Sequence, residues 1–167
     1  ESESSQPNYY LAIVTLKHFD AYSLEDVNGT TRHNFNAIIS PYMFEDTYFP
    51  AFEKSIVEGG AKGVMCSYNA VNGVPSCCND FLLNQTLRQT WGFKGYVTSD
   101  SGAIRNIWSN HKYTPDEAGA VIDALEAGCD INSGNGKSSM GGSWGTGSPY
   151  QETVPTVVKN GSLDIKF

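Results

Sequence analysis

The sequence predicts an α/β fold with parallel strands. Short apolar runs of strand character alternate four times with helical stretches of amphipathic spacing. The starts of those helices carry capping signals, and each apolar run ends in a polar loop. Strands that alternate with helices are joined by right-handed crossovers. Four such units form either a small doubly wound sheet or half of an eight-stranded barrel. No G-x-G-x-x-G follows the first strand, so nothing favours dinucleotide binding.

Leu11 to Leu16 reads as a buried first strand. A polar loop follows, then Ser40-Pro41, an N-cap with Pro at the first helical position. Phe44, Tyr48, Phe52 and Ile56 recur at helical spacing, Pro50 must break or restart that helix, and Gly59-Gly60 ends it. Gly63 to Tyr68 is the second strand. Asn79 to Thr90 is its helix, with Leu82, Leu83 and Leu87 on one side. Gly95 to Ser99 is the third strand. Thr114-Pro115-Asp116-Glu117 reads as a capping box, and Ala118, Val121, Ile122 and Leu125 then follow at i, i+3, i+4 and i+7 before Gly128. Cys129-Asp130-Ile131 is a short fourth strand. A Ser/Gly-rich loop, 133–149, precedes a last helix expected from Ser148-Pro149 to Asn160-Gly161, with Pro155 awkward inside it. Residues 1–10 read as a leader segment, 11–132 as the folded unit and 150–167 as its terminal helix.

Of the 167 residues, 40% are hydrophobic and 17% charged, which suits a folded globular chain. The formal net charge of -7, without a basic cluster, argues against a nucleic-acid partner. No apolar run approaches the ~20 residues that span a bilayer, so no membrane partner is expected. The start has no basic and apolar leader pattern, so any signal peptide is expected to have been removed. Three Asn-x-Ser/Thr sequons, at Asn28, Asn84 and Asn160, join four cysteines and low Lys content in favouring a secreted glycoprotein. Cys66, Cys77, Cys78 and Cys129 include no C-x-x-C and have no His nearby, so at least one disulfide is expected and no metal site; three pairings are possible if all four are bridged.

The strand ends are rich in polar side chains. The first runs into Lys17-His18-Phe19-Asp20, the second into Tyr68-Asn69, the third into Asp100 and the fourth into Asp130-Ile131-Asn132. In a parallel α/β fold these ends share one face, where sites are built. Lys17, His18, Tyr68 and Asn69 would then surround Asp100 with donors. Donors favour the ionised form of a carboxylate, which suits a nucleophile better than a general acid. Each residue taken alone has a structural reading too: a solvated lysine, a satisfied core histidine, a buried tyrosine, an Asp that caps a turn.

"LKHF" (Leu16 to Phe19), "RHNFNA" (Arg32 to Ala37), "VMCSYNAVNGVPSC" (Val64 to Cys77), "LRQTWGFKGYVTSD" (Leu87 to Asp100) and "ALEAGCD" (Ala124 to Asp130) together resemble glycoside hydrolase family 3, nearest its β-xylosidase branch. The resemblance implies the C-terminal half of a (β/α)8 barrel. It also implies a retaining β-glycosidase for terminal β-xylosides or β-glucosides of plant or cell-wall polysaccharide, with Asp100 as nucleophile. Lys17, His18, Met65 and Tyr68 are then the substrate-binding residues, and no cofactor is expected. Arg32 and His33 read equally well as a structural ion pair below the site. A retaining mechanism needs a second carboxylate about 5–5.5 Å from the first. In the family that acid/base Glu comes from a second domain, and an earlier barrel half supplies an Asp and an Arg. The partners expected are therefore a β-linked glycoside, the rest of the barrel and the acid/base-bearing domain. The alternative is a non-catalytic carbohydrate-binding or structural glycoprotein derived from the same family.

Overall fold

A computed structural model describes residues 9–134 and 148–164. The first eight leader residues, most of the Ser/Gly-rich loop and the last three residues lie outside them.

Strand β1 is Thr15–Phe19, four residues later than expected. Leu11, Ile13 and Val14 are 69%, 52% and 46% exposed, since β1 is the edge of its sheet among the described residues. The shift puts Lys17 and His18 inside the strand. Strands β2 (Asp26–Val27) and β3 (Thr30–Thr31) form a hairpin in the loop that follows. It turns on Asn28 and Gly29, with φ of 51° and 85°, the primed turn that Asn-Gly adopts without the strain most residues would meet. A two-residue strand β4, Asn36–Ala37, precedes the first helix.

Helix α1 (Pro41–Met43) begins as expected: Ser40 Oγ accepts from the Met43 N–H at 3.2 Å. A π-helical turn, Phe44–Tyr48, then leads into α2 (Phe49–Val57). That wider turn lets Pro50, which has no N–H to donate, sit in the first turn of α2 instead of breaking the rod. Strand β5 is Gly63–Cys66, shorter than read, and is followed by a hairpin of β6 (Ala70–Val71) and β7 (Val74–Pro75). A 3₁₀ turn, Ser76–Cys78, and a π-wound helix, Phe81–Thr90, bury Leu82, Leu83 and Leu87 completely.

Strand β8 is Tyr96–Ser99, and helix α3, Ala103–Ser109, rises directly after it. Nothing in the periodicity pointed to α3. Helix α4 is Glu117–Glu126, and its cap is Asp116, whose Oδ1 accepts from the Gly119 N–H at 2.8 Å. The expected Thr114 cap instead donates its hydroxyl to the Asp116 carbonyl at 3.0 Å, which places Pro115 before the helix. Helix α5, Pro149–Lys159, carries Pro155 in its interior and stops at Asn160, as read.

β1, β5 and β8 pair in parallel in that order, and Ile131 adds one parallel bridge beside Thr98. The fourth strand is thus a single bridge, held by Ser99 N–H to Ile131 O and Ile131 N–H to Val97 O, at 2.8 and 3.0 Å. Among the described residues, order in space follows order in sequence, a winding that a barrel continues all round and a doubly wound sheet reverses at its switch point. Val64, Cys66, Val97 and Ser99 lie on one face, none of them exposed at all. Beneath them Phe19 meets Phe49, Phe52 and Trp91 at centroid distances of 5.0 to 6.3 Å. The opposite face carries Tyr96, Met65 and Thr98. There Tyr96 OH reaches Thr15 Oγ1 at 2.6 Å across Gly63, where a Cβ would strike both side chains.

Candidate active site

Asp100 emerges from β8 with its main chain held on both sides. Its N–H donates to Cys66 O on β5, and its carbonyl accepts from Ala103 N–H at the start of α3, each at 3.0 Å. Oδ1 accepts from the Ser101 N–H at 2.7 Å, and Oδ2 lies 3.3 Å from His18 Nε2. With its side chain only 14% exposed, the carboxylate is fixed at the strand end rather than swinging in a loop. Chain passage through His18 is unusual, since Lys17–His18 and Phe19–Asp20 are both cis peptide bonds.

Burial holds the His18 imidazole below its ordinary value despite the attraction of Asp100. The contact is therefore between a neutral ring and a carboxylate, not a full ion pair. Tyr68 is buried, and its hydroxyl donates to Ser101 O at 3.0 Å. Burial and the neighbouring Asp100 both push the phenol well above the usual tyrosine range, so it stays a donor. Around these groups stand residues that the strand-end reading missed. Tyr22 lies 4.9 Å from the His18 ring, and Arg32 sits over the Tyr68 ring at 4.9 Å. His33 meets Tyr68 edge-on at 4.7 Å, and His111 Nε2 is 2.8 Å from Tyr68 O. Tyr22 lies four residues beyond His18, and His111 lies beyond an unread helix; no local pattern marks either.

The structure thus brings together Asp100, His18 and Tyr68. Met65 is half-buried on the sheet face that Thr98 shares, two residues before Asp100. Lys17 is exposed and makes no hydrogen bond or ion pair among the described residues; its charge disfavours the proton on His18. Two other strand-end residues belong elsewhere. Asn69 donates its amide to Asp20 O and Ala70 O, each at 3.1 Å, inside a buried network with Ser67 and Ser76. Asp130 accepts from Arg88 at 2.8 Å and from the Val97 N–H at 2.7 Å, clipping the π-wound helix to the sheet. Arg32 and His33 are not an ion pair. Arg32 pairs with Glu25 at 3.4 Å, and both residues border the site rather than lying beneath it.

Of the possible cysteine pairings the structure contains Cys66–Cys77, with Cys78 and Cys129 free and buried. Cys129 Sγ lies 3.8 Å from Cys66 Sγ, so three sulfurs sit within 4.8 Å of one another. Two of them are joined to each other, which leaves one thiol and no set of thiolates for a metal.

Comparison with known proteins identifies the family to which the chain belongs. Residues 11–166 match the glycosyl hydrolase family 3 N-terminal domain. A probable β-D-xylosidase 6 of Arabidopsis thaliana is 51% identical over 118 residues, which are 71% of this chain and 15% of that protein. A probable β-D-xylosidase 7 of the same plant is 45% identical over 128 residues, 77% of this chain and 17% of the relative. The chain therefore spans about a sixth of the length of these relatives. Among solved structures, a GH3 exo-β-xylosidase in complex with a xylobiose aziridine activity-based probe superposes with a TM-score of 0.78 at 37% identity, over 89% of this chain and 18% of that one. A β-glucosidase from Erythrobacter marinus superposes with a TM-score of 0.77 at 34% identity, over 91% of this chain and 18% of that one. With five ordered sequence motifs, a parallel sheet wound in sequence order and a carboxylate fixed at a strand end, the chain belongs to glycosyl hydrolase family 3, within its N-terminal domain.

Proposed function

We propose that this chain is part of a secreted, retaining β-glycosidase that removes terminal β-xylosyl or β-glucosyl units from plant or cell-wall saccharides, with Asp100 as the nucleophile. The observation that carries this is the placement of Asp100. It leaves one oxygen held by a backbone N–H and the other facing a neutral His18, at the C-terminal end of a parallel strand. A nucleophile must be ionised, aimed and unable to rotate away from the anomeric carbon, and these contacts supply the aim. Lys17, uncommitted and exposed beside His18, is free to donate to a sugar hydroxyl, while Met65 and Tyr68 supply apolar and aromatic wall.

In the reaction, an Asp100 oxygen attacks the anomeric carbon while a carboxylic acid outside this chain protonates the departing oxygen. Water, deprotonated by that same residue, then hydrolyses the glycosyl ester. The relatives' greater length leaves room for the remaining barrel strands and that acid/base residue. Secretion is supported by the Cys66–Cys77 bridge and by the exposed sequon asparagines Asn28 and Asn160.

A 2-fluoro xyloside or glucoside with a good leaving group should inactivate the full-length enzyme and leave its mass on the peptide that contains Asp100. Asp100→Asn should keep the fold and lower kcat by several orders of magnitude, because positioning alone does not replace the covalent step. A label mapped to another residue removes Asp100 from the role, and a full-length protein that cleaves no β-glycoside favours a non-catalytic sugar-binding role.

A further inference from the structure

His33 lies between two donors. Its Nδ1 is 2.7 Å from the side-chain nitrogen of Asn106, and its Nε2 is 3.4 Å from Arg32 Nε. A neutral imidazole has one N–H and one acceptor nitrogen, so it cannot accept from both. Arg32 can only donate. The Asn106 amide, by contrast, can be turned end for end, since its oxygen and nitrogen fill the same space. Its nitrogen has no other hydrogen bond among the described residues. The consistent arrangement has His33 Nδ1–H donating to Asn106 Oδ1 and His33 Nε2 accepting from Arg32.

That arrangement reaches the site in two steps. Asn106 belongs to α3, which begins three residues after Asp100, and is 9% exposed. Through His33 it steadies the Arg32 guanidinium, which lies over the Tyr68 ring and reaches Tyr22 OH and Glu25 Oε2 at 3.4 Å each. Tyr68 in turn donates to Ser101 O, beside Asp100.

We infer that Asn106 and His33 form a positioning pair that holds Arg32 over Tyr68 at the edge of the site, and that the pair works only while His33 is neutral. The inference rests on the glycosidase reading above. A proton on Nε2 would turn the acceptor into a donor and set two positive charges 3.4 Å apart. The groups facing the ring divide by sign. Burial, Arg32 and His111 disfavour its proton, while Asp100 and Glu25 favour it; Asn106 and Tyr68 are neutral neighbours. Burial is the largest influence and keeps the ring below its ordinary value. Loss of the pair therefore belongs to the acid limb of activity.

The test uses the full-length enzyme, an aryl β-xyloside and kcat/KM measured against pH. His33→Ala should lower kcat/KM by about tenfold, roughly the loss of one hydrogen bond near the reacting groups. His33→Gln, which can donate to Asn106 and accept from Arg32 without titrating, should recover most of that loss. Asn106→Asp places a carboxylate against Nδ1–H and should move the acid limb up by about one pH unit. Nitrogen-15 spectra of the imidazoles should show His33 carrying its proton on Nδ1. An acid limb unmoved in Asn106→Asp, Gln no better than Ala at position 33, or a proton found on Nε2 would each overturn the pairing. If the wild type hydrolyses no glycoside, the functional reading fails while the spectra still decide the pair.

Discussion

Asp20 shows how much one residue can depend on its surroundings. It is 1% exposed; Oδ1 accepts from the Ala21 N–H at 2.6 Å, and Oδ2 has no hydrogen-bond partner among the described residues. Burial raises its carboxyl from 3.8 to about 6, and the single N–H only partly opposes this. Since the folded value lies above the unfolded one, the folded state holds its proton longer as pH rises. The stability linked to Asp20 is complete below the unfolded value and is lost as pH climbs through about 6. A shift of this size corresponds to about 3 kcal/mol at most. Asp20→Asn should remove that slope: the thermal midpoint of the wild type should fall relative to the variant between about pH 4 and pH 7. Parallel curves for the two proteins would show that Asp20 is hydrated rather than sealed. Elsewhere at this scale the sequence was informative only in part. Asp100, His18 and Tyr68 meet as their strand-end positions suggested. Tyr22 meets Tyr68 across 46 positions of chain and Asn106 meets His33 across 73, separations that no local pattern registers.

At the scale of elements, turn chemistry proved as specific as helical periodicity. Two Asn-Gly pairs, at 28–29 and 72–73, each take positive φ at both residues and close a two-residue hairpin. The first of them also carries a sequon. Asn28 is exposed at the hairpin tip, where a glycan meets only solvent. Asn84 is different: it is half-buried, and its amide nitrogen donates to Asp80 Oδ1 and Glu126 O at 2.8 and 3.0 Å. N-glycosylation modifies that nitrogen, so Asn28 should be occupied and Asn84 bare, although both lie in sequons. Peptide masses before and after enzymatic deglycosylation check this. A mass change on the Asn84 peptide of the active enzyme would mean that its tie to the end of α4 is dispensable. The capping shift at α4 has a similar origin. Thr114 and Asp116 both suit a cap, and the Asp116 carboxylate, which accepts from Gly119, ends where the helix can pack Ala120, Val121 and Ala124 fully out of solvent.

At the largest scale, the outstanding feature is that the sheet has two open edges among the described residues. β1 stands at one edge, with Tyr9, Tyr10, Leu11, Ile13 and Val14 between 46% and 70% exposed. The other edge ends in the single Ile131 bridge, and Ile131 is itself 46% exposed. Open edges invite pairing, and apolar side chains along them favour association. Residues 1–167 expressed alone should therefore aggregate, or give expanded material that binds hydrophobic dyes, with no hydrolysis of aryl glycosides. A monodisperse monomer with a cooperative melt would show that the buried layer beneath the sheet suffices without further strands.

Local chemistry in the sequence was enough to specify an α/β chain, the identity of most helices, the Ser40 cap, the need for a disulfide and the family itself. The first three depend on periodicity, capping and turn residues, whose interactions reach only a few positions along the chain; the disulfide was read from the cysteine count, and the family from five motifs in order. Strand limits, the choice of Cys77 as partner for Cys66, and the surroundings of Asp100 were decided by tertiary structure. Where β1 begins depends on which residues face β5. Which donors reach Asp100 depends on the ends of β1, β5 and β8 converging from distant positions, a geometry that exists only once the sheet has formed.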